Sequence, residues 1–154
     1  MPSRHFSTIP TLYCWVDLLD PSSEYGRASI FSLLPSSGVC AWIRDEAMVG
    51  WGKAWAWKRG KDRPPLVEAG ENAAITEAAR VWDLLREKAQ VHWGEGARVA
   101  WGKSLPTLPF AFVSCAFEDD GERTLIVPEL TVITSGSQRF VIAASTDSHV
   151  KPEF

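Results

Sequence analysis

The chain has no basic run, no long apolar stretch and few cysteines or histidines, and each shortage argues against a class of function. Its 16 basic residues face 19 acidic ones, for a formal net charge of −3. The densest basic cluster, Lys58, Arg59, Lys61, Asp62 and Arg63, ends in Pro64 and Pro65 and reads as a solvated loop rather than a nucleic-acid footprint. No apolar stretch approaches the ~20 residues that a membrane helix needs. The N-terminus, MPSRHFSTIP, lacks the apolar region of a secretory leader. A cytoplasmic protein with neither membrane nor nucleic acid as partner is expected. Cys14, Cys40 and Cys115 are odd in number, widely spaced and set among apolar neighbours, so reduced, buried thiols are expected rather than a disulfide framework or a zinc site. His5, His92 and His149 stand far apart, outside metal-ligand spacings such as H-E-x-x-H.

What the chain does have is apolar strand material and tryptophan. At 154 residues, with 45% hydrophobic and 23% charged residues, it fits one domain, residues 1–154, able to bury a core. Three apolar runs, Phe110–Phe117, Thr124–Thr134 and Arg139–Ala144, are separated by turn signals at Asp119–Gly121 and Ser135–Ser137. This pattern predicts an antiparallel meander. Both alternation sets of the first run are apolar, so that strand should be covered on both faces.

Upstream, Thr11–Leu19 reads as a strand closed by the turn cluster Asp20 to Ser23. Ala28–Leu34, Val39–Arg44 and Met48–Trp57 then make a second meander. If Met48–Trp57 is one extended strand, Trp51, Lys53, Trp55 and Trp57 share one face, while Gly50, Gly52, Ala54 and Ala56 share the other. Eight tryptophans is a high number for this length, and these indoles are either core or a contact surface. From Asn72 to Trp93 the period turns helical, with Ile75, Ala78, Ala79, Trp82, Leu85 and Ala89 on one face, Asn72 as N-cap and Gly94 with Gly96 as the stop. His92 would then place a favourable charge near the helix C-terminus. The expected fold is α+β: antiparallel β meanders covered by one main amphipathic helix.

No catalytic, cofactor-binding or metal-binding residue emerges from the motifs. Gly102, Lys103 and Ser104 resemble the end of a phosphate loop, but the upstream glycine, Gly96, is one residue out of place, and Pro106 and Pro109 stand where the motif needs a helix. Gly50-Trp51-Gly52 lacks the third glycine and the helix of a dinucleotide fingerprint. Glu118, Asp119, Asp120 and Glu122 lack the ligand spacing of a calcium loop and read as a solvated hairpin tip.

The run PFAFVSCAFEDDGERTLIVPELTVI (Pro109 to Ile133) resembles a segment in the N-terminal portion of chorismate-utilising enzymes, most closely isochorismate synthases: an "AF" strand, an acidic turn and a "VPE" strand. VGWGKAWAW (Val49 to Trp57) and AARVWDLL (Ala78 to Leu85) are similar to that family's glycine-bearing strand and following helix. The resemblance spans roughly Ser29 to Ala144 and rests on the order of several short motifs. It departs at Glu68–Ile75, where the family's "RF" element is replaced. The family's general base, general acid and Mg²⁺-holding glutamates belong to a C-terminal portion whose motifs do not occur here, and Lys151 takes no catalytic role.

The resemblance implies a scaffold portion of an isochorismate synthase, inactive alone. Its partner would be the missing catalytic portion, in cis or trans, and the complete enzyme would convert chorismate to isochorismate with Mg²⁺ for menaquinone or siderophore synthesis. The alternative is a non-enzymatic α+β module that binds a partner or ligand through a face holding Trp51, Trp55 and Trp57.

Overall fold

The computed structural model describes residues 9–35, 38–43, 47–59, 73–102, 105, 107–115 and 123–153. It is α+β with mostly antiparallel sheets, as composition and periodicity predict. In chain order the elements are β1 (Tyr13–Leu18), α1 (Glu24–Arg27), β2 (Val39–Ile43), β3 (Ala47–Trp51), β4 (Trp55–Arg59), α2 (Ala73–Lys88) and β5 (Gln90–Trp93). They continue as α3 (Ala97–Ala100), β6 (Phe112–Cys115), β7 (Arg123–Val127), β8 (Leu130–Ser135) and β9 (Gln138–Ser145). A larger sheet has the order β2-β3-β8-β9-β1-β5, and a smaller one the order β4-β7-β6.

The expected antiparallel neighbours are found, β2 with β3, β6 with β7 and β8 with β9, but two of the predicted strands bend so that each serves both sheets. Met48–Trp57 is not one strand: Gly52, at φ 71°, breaks it into β3 in the larger sheet and β4 in the smaller. Thr124–Thr134 breaks likewise at Pro128 and Glu129, into β7 and β8, because proline has no N–H to donate to a ladder. These breaks lie side by side. A Cβ on Gly50 would come within 2.6 Å of the Pro128 ring, and one on Gly52 within 2.7 Å of a Glu129 carboxylate oxygen. Ala54 N–H donates to Val127 O at 2.8 Å across the corner. Small residues therefore allow two ribbons to turn together from one sheet into the next.

Three further expectations change. Ala28–Leu34 is not a strand. Ser23 caps α1 by accepting from Gly26 N–H at 3.0 Å, and a 3₁₀ turn follows at Ile30–Leu33. The helix ends at Lys88 rather than Trp93, and Gln90–Trp93 instead pairs parallel with β1. His92 therefore sits on a strand, not at a helix end. The β6 strand is an edge, with Val113 60% exposed, so it is not covered on both faces. Asn72 and the acidic turn Glu118–Glu122 lie outside the described residues. The turn at Ser135–Ser137 is observed, with Gly136 at φ 60° joining β8 to β9.

Alternation on β1 divides the larger sheet into two faces. Leu12, Cys14 and Val16 enter the main core with Ile133, Phe140, Ile142 and Ala144, and Val127, Leu85, Ala97 and Leu105 close over them. Trp101 meets Phe140 edge-on at 5.0 Å and Trp93 at 5.7 Å, packing the region where α3 returns. A second cluster joins Ala78 and Val81 of α2 to Trp57 and Leu125 of the smaller sheet. The helix buries Ala78, Val81 and Leu85, whereas Ala79, expected inside, is exposed.

Candidate functional site

The tryptophans expected to share one face are distributed by the corner. Trp51 stays on the larger sheet, while Trp55 and Trp57 cross to the smaller one, where Trp57 is buried and Trp55 packs against both core clusters. With Trp57 buried, the three indoles are not all available as one exposed face.

A different aromatic row lies on the face of the larger sheet that points away from the main core. Tyr13, Trp15 and Asp17 alternate with the buried Cys14 and Val16, as strand geometry requires. The register places Trp15 between Ala143 on β9 and His92 on β5. Its ring stacks on His92 at 5.9 Å with 25° between planes, and Tyr13, two residues earlier on the same strand, stands 6.5 Å away. Tyr13 and Trp15 are half-buried and His92 is exposed, so the row is open to solvent.

Next to this row the same face holds a recess of about 330 Å³. Leu130 and Ala143, directly opposed across β8 and β9, form its floor with Val141. Tyr25 from α1 and the segment Lys151–Glu153 form its walls, and Asp17 stands at its rim opposite Val141. Arg139, on this face too, holds the α1 segment in place by donating to the carbonyls of Tyr25 and Ala28, both at 2.7 Å. Lys151 Nζ bonds Asp17 Oδ2 at 2.8 Å. Both side chains are part-exposed, so this pair orients the segment more than it stabilises it. A space of this size, with an apolar floor, flanking rings and charges at its rim, can hold a small molecule with a flat apolar body.

Other candidates resolve into structural roles or fall outside the described residues. Gly52 of the G-x-G pair makes the corner between sheets, and Lys103 and Ser104 are not described. Burial pushes the Cys14 thiol up to about 12, which leaves it protonated and unreactive. Burial also raises the Cys40 thiol, against the opposing charge of Lys53. Glu77 of α2 is fully buried and ion-paired with Arg59 at the end of β4, tying helix to sheet. Among the described residues, no group of three or more histidine, cysteine or acidic side chains could hold a metal ion, and no helix is long and apolar enough to cross a membrane.

Sequence reasoning missed the Trp15 row because His92 stands 77 positions after its register partner Trp15 in the chain and reads as helical. The Y-x-W-x-D alternation of β1 was the available signal, but it names no neighbour. Comparison of the chain with protein-family models, with curated proteins and with solved structures finds no match.

Proposed function

We propose that the chain is a non-catalytic binding module that holds a small ring-bearing molecule against the outer face of its larger sheet. The observation that carries this is the juxtaposition of the Tyr13, Trp15 and His92 row with the recess over Leu130, Val141 and Ala143. Stacking and apolar contact would supply affinity, and the Asp17, Lys151 and Glu153 rim would set the ligand's orientation. Saturation-transfer NMR against a panel of indole, phenol, benzylamine and benzoate fragments tests it. Binding should fall in Trp15→Ala and vanish in Val141→Trp, which fills the recess. A panel that binds none of its members, or binds the Val141→Trp variant equally well, would sink the proposal.

A second reading is favoured by the order of the segments Val49–Trp57, Ala78–Leu85 and Pro109–Ile133. In it the chain is the scaffold portion of an isochorismate-synthase-like enzyme, with a separate catalytic portion, Mg²⁺ and chorismate as its partners. The purified chain should then leave chorismate unchanged with Mg²⁺ present. Isochorismate should form when the catalytic portion of a related synthase, inactive alone, is added in trans. Failure of the added portion to bind or to gain activity would remove this reading.

A further inference from the structure

Among the described residues β2 is the outermost strand of the larger sheet, and its sequence, VCAWI, contains no charge and no proline. Edge strands are ordinarily blunted by lysine, proline, bulges or a covering element. Of the other edges, β4 carries Lys58 and Arg59 and β5 carries His92, while β6, FVSC, is uncharged like β2 but one residue shorter and interrupted by Ser114. On β2, by contrast, Val39 is 37%, Trp42 52% and Ile43 55% exposed, and these residues lie on both faces of the strand. Antiparallel pairing with β3 uses one side of the β2 backbone and leaves the N–H and C=O groups of the other side pointing outward.

The strand is also self-complementary. Laid antiparallel against a copy of itself about Ala41, it sets Val39 opposite Ile43 of the second copy, twice, on one face. On the other face it sets Cys40 opposite Trp42, also twice. Every cross-strand pair is then apolar, no like charges meet, and the outward backbone groups find partners. We infer that two copies of this chain associate through β2 about a twofold axis, joining their larger sheets into one continuous twelve-stranded sheet. A foreign strand could form the same backbone bonds, but it would not meet the reciprocal matching of Val39 with Ile43 and Cys40 with Trp42. The second copy is therefore the occupant. The interface is small, so association depends on concentration.

Sedimentation equilibrium across a wide concentration range should show a monomer–dimer equilibrium. Ile43→Lys, at a side chain already exposed, should weaken it by about tenfold or more while the circular dichroism stays unchanged. The register has its own test in a Cys40→Ser, Cys115→Ser background. Ala41→Cys places two thiols at the ~4.5–5.5 Å Cα spacing of opposed strand residues, within reach of a disulfide. With oxidised glutathione accepting the two electrons, this variant should become a covalent dimer much faster than a Val99→Cys control, whose site is 93% exposed and on α3. A chain that stays monomeric at all concentrations overturns the inference. So does an Ile43→Lys variant that dimerises unchanged, or an Ala41→Cys variant that cross-links no faster than the control.

Discussion

Cys14 shows how one position on β1 decides a chemical property. Its thiol faces the core between Leu12 and Val16, and burial alone raises it from the ordinary 9.0 to about 12. Because the folded chain keeps the proton longer than the unfolded chain does, the stability tied to this thiol is intact below pH 9. It is lost as pH rises toward 12. Cys14 should therefore resist a thiol reagent at pH 8 until denaturant is added, and labelling as fast in the native protein as in guanidinium would contradict its burial. Trp57 makes the complementary case for packing. Since it is the buried member of the Trp51, Trp55 and Trp57 set, Trp57→Ala should cost about 3–5 kcal/mol in denaturant unfolding. An unresolvable change would place its indole at the surface.

At the scale of elements, α2 is attached to the smaller sheet by an apolar stripe and by one buried charge pair. Glu77 lies with Ala78 and Val81 on the covered side and is ion-paired with Arg59. Removing one partner leaves a desolvated charge, so Arg59→Ala should destabilise by about 3–5 kcal/mol, whereas the double change Arg59→Met, Glu77→Leu should be near neutral. Chemical denaturation of both variants checks this, and equal losses in the single and double variants would show that the charges are not coupled. The corner between sheets gives a second comparison. Gly52→Ala and Gly136→Ala both force a side chain into a positive-φ backbone, at about 1–2 kcal/mol each. Only Gly52 also meets Glu129, while the space at Gly136 is open, so Gly52→Ala should cost more.

At the scale of the molecule, the shared corner makes the two sheets one structural unit. β3 with β8 and β4 with β7 are continuous ribbons, so neither sheet can open without disturbing the other. Tryptophan fluorescence and far-ultraviolet circular dichroism should report one coincident unfolding transition. Two separated midpoints would show that the corner acts as a hinge between independent units. The same arrangement brings Tyr25, Trp15, Val141 and Lys151, distant in sequence, to one face, and among the described residues leaves β2 at an edge of the larger sheet.

Local pattern by itself determined the α+β class, the mostly antiparallel pairing and most of the strands, though not Ala28–Leu34 or Gln90–Trp93. Alternation at Tyr13–Leu18, the three- and four-residue spacing through Ala78, Trp82 and Leu85, and the Gly136 turn are all properties of neighbouring residues. The long apolar runs Met48–Trp57 and Thr124–Thr134 were legible as strands, but not as strands shared between two sheets. Gly52 and Pro128 signal a break only once each lies beside the other ribbon. The end of α2 and the fate of His92 were decided by the open edge of β1, which offers Gln90–Trp93 a parallel partner that helix periodicity cannot anticipate. The recess and its aromatic row were decided by tertiary structure alone, because period-2 alternation says which side chains share a face of one strand and only sheet order says which strands stand side by side.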